Sequence, residues 1–256
     1  MGYPQGLLKT RAVIRPGEYA VIPPEGRVNN VIPCISNCQM SIIASPKLGA
    51  SFVQYIGTAM PGGGTSSPFA AEDGIESFIY LLDEHGILQI TIDGEPHTLT
   101  PGGYAYAPPQ SDLQFSNPGD KPVRFLLYKQ RYIPWDTLQP HTVTGNTNDI
   151  QEQEYDEMAN VFLKDLLPTD ISFDMNMHIL SFDPTGCHPF VETHVQEHGA
   201  YVLEGEGIYL LGEEWIQIQK EDFIFFGPYV QQAVYTTGRG RLTYIYSKDC
   251  NRDVTL

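Results

Sequence analysis

Glu192, His194 and His198 stand at spacings i, i+2 and i+6 in the run Glu192-Thr-His-Val-Gln-Glu-His198-Gly-Ala-Tyr-Val. A carboxylate and two imidazoles are ordinary ligands for a divalent metal ion. Along a β-strand, side chains alternate between faces, so even spacing lets all three point the same way. In an α-helix, positions i and i+2 lie about 200° apart around the axis and cannot meet at one ion. The run continues into Ala200, Tyr201, Val202 and Leu203, which read as strand. The spacing therefore predicts a metal site built on a sheet. A single histidine on a strand is usually packed or solvated; three candidate ligands at even spacing are a stronger signal.

The elements that must carry this site are short strands between turns. The 256 residues include 24 Gly and 20 Pro, and apolar runs between them alternate with turn signals. Two stretches resemble each other. Gly74 to Leu82, a turn at Gly86, Ile87 to Ile92 and Gly102 to Pro109 form the first. His198 to Leu203, a turn at Gly205-Glu-Gly207, Ile208 to Leu211 and Glu221 to Pro228 form the second. Each closes on an apolar strand with a tyrosine and a lysine, Phe125-Leu-Leu-Tyr128-Lys129 and Thr243-Tyr244-Ile-Tyr246-Ser-Lys248. Placing Glu76 on His198 and Gln114 on Gln232 superposes the two. The expectation is an all-β chain with a duplicated domain. Residues 1–40 read as edge strands, around Val13, Ile14, Tyr19, Val21 and Ile22, followed by an N-terminal barrel over 41–133. An acidic connector over 134–167 has Met158, Val161, Phe162 and Leu166 at helical spacing, predicting one short helix, and a C-terminal barrel occupies 168–256.

Composition narrows the partners. Thirty-one acidic against 15 basic residues give a formal charge of −16, which repels phosphate backbones and anionic lipid. Neither nucleic acid nor a membrane is expected as partner, and a small-molecule substrate is. The chain has no run of 18 apolar residues and no apolar leader in Met1 to Arg11. Cys34, Cys38, Cys187 and Cys250 are too scattered for a disulfide framework and are expected as thiols in a reducing cytoplasm.

At this point the residues resemble the cupin superfamily. Its first motif is matched by Gly186, five residues, Glu192-x-His194, three residues, His198, six residues and Gly205, with the usual His and Glu ligand positions exchanged. Its second motif falls on Glu221, Gly227, Tyr229 and Gln232, which puts Gln232 at the fourth-ligand position. The implied ligand set is Glu192, His194, His198 and Gln232. Two imidazoles, one carboxylate and one amide oxygen suit a hard or borderline ion such as Mn2+ or Fe2+ with open positions. In the same register the first half carries Ala70, Glu72, Glu76 and Gln114, so the N-terminal barrel is expected to be metal-free.

A narrower resemblance rests on Phe173 to Leu180, Glu192 to Gly199 and Tyr244 to Arg252. Ser45 to Phe52, Gly74 to Phe78 and Tyr128 to Tyr132 extend it over nearly the whole chain. These runs look like the bicupin family of (S)-ureidoglycine aminohydrolases. The resemblance implies a Mn2+ enzyme of purine (allantoin) catabolism that releases ammonia from (S)-ureidoglycine and leaves (S)-ureidoglycolate. It implies substrate contacts from Glu192, Gln232, Tyr244 and Lys248, with Lys248 and Glu192 as catalytic residues. Tyr244, Tyr246 and Lys248 alternate by two and share one strand face, and a lysine turned inward there would need an anionic partner such as the substrate carboxylate. His178 and Tyr209 are further candidates for the pocket wall. Apolar strands such as Phe125 to Tyr128 suggest a homo-oligomer. Two other readings compete: a non-haem iron oxygenase, since two histidines and a carboxylate also make that triad, and a metabolite-binding bicupin without activity.

Overall fold

A computed structural model describes residues 10–249 and 251–254. Cys250 and most of Met1 to Arg11 lie outside them. The described residues form twenty strands and two short 3-10 turns, with no α-helix among them. The chain enters with β1 (Val13–Arg15) and β2 (Tyr19–Ile22). Then come β3 (Ile35–Ala44), β4 (Phe52–Thr65), β5 (Ile75–Leu81), β6 (Leu88–Ile92), β7 (Glu95–Leu99), β8 (Gly103–Ala107), β9 (Leu113–Ser116) and β10 (Val123–Arg131). The middle holds β11 (Val143–Asn146), β12 (Gln153–Glu154) and β13 (Val161–Asp165). The last part holds β14 (Met175–Phe182), β15 (His198–Glu204), β16 (Glu206–Leu211), β17 (Glu214–Gln219), β18 (Phe223–Phe226), β19 (Gln232–Thr236) and β20 (Leu242–Asp249).

These strands make two tandem barrels that exchange edges. The first runs β11-β8-β5-β10-β4-β9-β6-β7, with β3 also on β4. The second sets β1-β2-β18-β15-β20-β14-β13-β12 against the smaller sheet β17-β16-β19. Thus β1 and β2 extend the distant C-terminal sheet, β11 extends the N-terminal one, and β3 crosses the boundary expected at residue 40.

The short helix expected in 134–167 does not form. Val161–Asp165 pairs antiparallel with Phe182–His178 instead. Its four apolar residues serve different surroundings: Met158 and Val161 fill the C-terminal barrel, Leu166 packs between the barrels, and Phe162 lies under the Arg241 guanidinium. Four apolar residues at mixed spacing fit a turn plus a strand as well as one helical stripe.

Strand alternation divides the apolar residues among three cores. Ile79, Leu81, Phe125 and Leu127 fill the first barrel; Val202, Ile224, Leu180 and Tyr244 fill the second. The opposite faces meet in a third core, where Phe52, Phe78, Tyr106 and Tyr128 face Met177, Tyr201, Phe225 and Ile245. Phe125 to Tyr128 is consumed inside the chain in this way and offers no surface for self-association. Gly199 lies on the seam face of β15, where an added Cβ would meet the Phe52 ring at 2.7 Å. The glycine lets the N-terminal barrel approach directly behind the strand that begins at His198.

The internal superposition needs a correction of one residue. His198 pairs with Phe226 just before Gly227-Pro228, and Ser77 pairs with Ala107 just before Pro108. Glu192 bridges Gln232, and Phe69 bridges Leu113. The N-terminal counterparts of Glu192, His198 and Gln232 are therefore Phe69, Ser77 and Leu113, rather than Ala70, Glu76 and Gln114. A one-residue slip turns a strand side chain to the other face. Glu76 accordingly faces the seam, where it accepts hydrogen bonds from Tyr106 and from Gln130 Nε2 (2.6 Å). Burial, with Asp174 beside it, pushes its carboxyl well above the ordinary range.

Candidate metal centre

The segment between Val191 and Glu197 is loop, yet its backbone is fastened at several points. Glu192 and Gln232 exchange backbone hydrogen bonds of 2.8 and 2.9 Å. Tyr229, in a left-handed turn at φ 62°, donates its N–H to the His194 carbonyl at 2.7 Å. β15 begins at His198, whose even-numbered neighbours Ala200 and Val202 face the barrel interior. Loop and strand together turn His194 and His198 toward each other.

Each imidazole is held from behind. His194 Nδ1 lies 3.0 Å from the Gln196 carbonyl, and His198 Nδ1 lies 3.0 Å from the Ser247 carbonyl. A neutral ring donating through Nδ1 leaves Nε2 as an acceptor. The two Nε2 atoms are 3.2 Å apart, and the Gln232 amide end lies 2.6 Å from His194 Nε2. Two lone pairs aimed at one small space repel unless a cation or a proton lies between them. Backbone carbonyls behind both rings are the usual second layer of a metal site. The histidines therefore fit a divalent ion, and the amide oxygen of Gln232 can join them. Burial, reinforced by the mutual influence of the rings and by Lys248, pushes the His198 pKa well below its ordinary value. Burial and Lys248 also lower that of His194.

Glu192 lines the same cavity but stands back from the rings: among the described residues, no three His, Cys, Asp or Glu side chains are close enough to hold an ion. Burial raises the Glu192 pKa, Lys248 pulls it down, and Asp156 adds to the rise. The cavity holds about 80 Å³ and is walled by Tyr155, His188, Tyr209, Tyr244, Tyr246 and Lys248. Lys248 is half-buried at its edge, while Tyr244 and Tyr246, on the same face of β20, are buried. The Tyr209 and Tyr244 hydroxyls lie 3.2 Å apart, and burial pushes both phenols up, so both remain neutral donors. His178 is behind this wall: it stacks on Tyr246 with centroids 5.0 Å apart. Its Nδ1 lies 2.8 Å from Asp165, at an angle short of a hydrogen bond. A larger cleft of about 470 Å³ opens between the barrels, but Arg124 and Glu221 there neutralise each other at 2.6 Å. The small cavity with its two facing imidazoles is the better candidate for chemistry.

Sequence reasoning missed His188 and Tyr155. Tyr155 was hidden in what read as a connector. His188 shares the even parity of 192, 194 and 198, the one signal that could have marked it. It is 4% exposed and neither ring nitrogen has a partner. Burial, with a smaller contribution from His194, pushes its pKa down to about 4. A depressed histidine stabilises the fold fully above its unfolded value, and that contribution is lost as pH falls toward the folded value. A histidine held at about 4 rather than at its ordinary value corresponds to roughly 3 kcal/mol at low pH. Metal-free protein unfolded in urea at pH 7 and at pH 4.5 should therefore lose more stability than His188→Phe treated identically. Equal losses would show that His188 is not held neutral.

The cupin domain model matches residues 58–128. The (S)-ureidoglycine aminohydrolase of Escherichia coli (strain K12) is 46% identical over 256 residues, covering 100% of this chain and 97% of that protein. A probable (S)-ureidoglycine aminohydrolase of Oryza sativa subsp. japonica is 32% identical over 95% of this chain and 76% of its own length. The crystal structure of protein Ylba from E. coli superposes with a TM-score of 0.87 at 43% identity, each chain covered to 100%. With two barrels in the same order and likeness running from end to end, the chain belongs to the (S)-ureidoglycine aminohydrolase family of bicupins.

Proposed function

We propose that this protein hydrolyses (S)-ureidoglycine to (S)-ureidoglycolate and ammonia, a step of purine catabolism. The single observation that carries this reading is full-length identity of 46% to an E. coli enzyme of that name. In the reaction the bond from the central carbon to its amino nitrogen breaks, a bond to a water oxygen forms, and the nitrogen leaves as ammonia. The family likeness favours this over the oxygenase and the binding-only readings.

Glu192, His194, His198 and Gln232 would hold Mn2+ in this reading. The facing imidazoles, each pinned through Nδ1, support it. When bound, the ion supplies Lewis acidity that polarises the substrate and acidifies water. The protein's own groups do the rest. The Lys248 ammonium meets the substrate carboxylate and fixes which face of the central carbon is open. Neutral Tyr244, backed by Tyr209, donates a hydrogen bond to substrate oxygen. Glu192 and Gln232 reach the substrate from the loop and from β19. Glu192, whose carboxyl burial holds above its ordinary range, can accept and return a proton. The phenols and Phe226 around this cavity exclude bulk water.

The same reading has the enzyme in the cytoplasm, with Cys34, Cys38 and Cys187 as free thiols. No helix among the described residues is long and apolar enough to cross a membrane. Self-association, with Phe125 to Tyr128 buried, would use other surfaces such as the exposed Trp215 beside Tyr235.

The test is ammonia release from freshly generated ureidoglycine, with enzyme chelated and then reloaded with Mn2+. Chelated enzyme should fall to the rate of buffer alone, and Mn2+ should restore release and yield the (S) product. Ammonia at the buffer rate in every arm, or racemic ureidoglycolate, would end this assignment.

A further inference from the structure

The first barrel keeps no ligands, since its corresponding positions are Phe69, Ser77 and Leu113, yet it lies directly behind the metal loop. One side chain connects the two. Glu197 is 7% exposed and immediately precedes His198. Its carboxylate accepts the backbone N–H of Ser51 at 3.0 and 3.2 Å, and the Ser51 hydroxyl as well. Ser51 lies at the corner between β3 and β4 of the N-terminal barrel. On its other side, the Glu197 backbone N–H donates to Asp249 Oδ1 at 2.9 Å, and Asp249 follows Lys248.

We infer that the metal-free N-terminal barrel positions the catalytic loop of the C-terminal barrel through the Ser51–Glu197 contact. The loop's start is fastened by the Glu192–Gln232 bridge and its middle by Tyr229. Its end, where it must deliver His198, is fastened by Glu197. The carboxylate anchors that end to the β3–β4 corner of the other barrel, while the peptide N–H anchors it to the strand carrying Lys248. Together they set the spacing between His194, His198 and Lys248. A carboxylate taking several donors at once cannot shift without breaking all of them, which a single neutral hydrogen bond would not ensure. Glu197 and Ser51 are positioning residues, since neither lines the cavity.

This rests on the metal and substrate reading above, and its test separates the two. Mn2+ affinity is measured by calorimetry on folded protein, beside kcat and KM for ammonia release. Glu197→Ala should weaken Mn2+ roughly tenfold, the scale of losing an outer-shell partner, and lower kcat by a similar factor. Glu197→Gln can still accept the Ser51 N–H and meet its hydroxyl, and should return both quantities to near the wild-type values. If Glu197→Ala does not fold, Ser51→Ala decides: it keeps the backbone bonds, loses the hydroxyl, and should weaken Mn2+ by a few-fold. Wild-type Mn2+ affinity and kcat in the alanine variants overturn the inference, whatever their melting temperature. If wild-type protein releases no ammonia but Glu197→Ala still weakens Mn2+, the substrate assignment fails and the positioning role stands.

Discussion

Lys248→Met should leave the protein loaded with Mn2+ and lower kcat by about 10²-fold or more, the scale of a substrate held out of line with the reacting groups. Methionine keeps most of the stem volume and removes the charge with its three N–H donors. Lys248 stands on the same face of β20 as Tyr244 and Tyr246, at the cavity edge where the carbonyl-pinned imidazoles emerge. It is near enough to lower the pKa of Glu192, His194 and His198. The ion's own donors do not include it, so metal content should remain. A second consequence has a definite sign. Without the ammonium, the two imidazoles take protons more readily, so protons compete with Mn2+ at higher pH than in the wild type. Metal analysis, kcat and the pH dependence of Mn2+ binding check this together. A Lys248→Met enzyme turning over at the wild-type rate would remove the lysine from the reaction.

The parts of this molecule that were legible in the sequence are those governed by period two. Glu192 and His194 reach the cavity from a loop, so their even spacing with His198 is not strand alternation, but His198, Ala200 and Val202 do share one face of β15. Alternation in Tyr244, Tyr246 and Lys248 likewise follows one strand. What escaped depends on contacts far apart in the chain. The register of the two halves was off by one residue because Glu76 resembles a ligand, although β5 turns it to the seam. Composition could not reveal that seam, since Phe78 and Ile79 are equally apolar and serve opposite faces. His188 escaped because its partners are absent rather than present. The connector escaped because its strands form only against sheets built by other segments: Val143–Asn146 pairs with Gly103–Tyr106, and Val161–Asp165 with β14. A short amphipathic stretch takes whichever structure its neighbours can bury, which local spacing cannot decide.

His194→Ala should lose metal and activity together, and it carries the largest expected effect. Removing one imidazole takes away a ligand, breaks the contact with Gln232 and leaves His198 without its facing partner. Lewis-acid stabilisation by a bound ion is worth several kcal/mol, so loss of the ion should lower kcat/KM by about 10³-fold or more. The stability of the same variant gives an independent check. In metal-free wild type His194 Nε2 faces His198 Nε2 at 3.2 Å and the Gln232 amide end at 2.6 Å. Deleting the His194 ring relieves the crowding of the two nitrogens but leaves the buried Gln232 amide without this partner, so the metal-free variant should be somewhat less stable than the metal-free wild type at pH 7.5. Adding Mn2+ should then raise the melting temperature of the wild type by mass action and leave the variant unmoved. The gap in stability between the two proteins thus widens with metal, an outcome that simple damage to the fold would not produce. A His194→Ala protein that binds Mn2+ as tightly as wild type, or whose melting temperature rises equally with it, would place the ion elsewhere and break the link between these imidazoles and the chemistry.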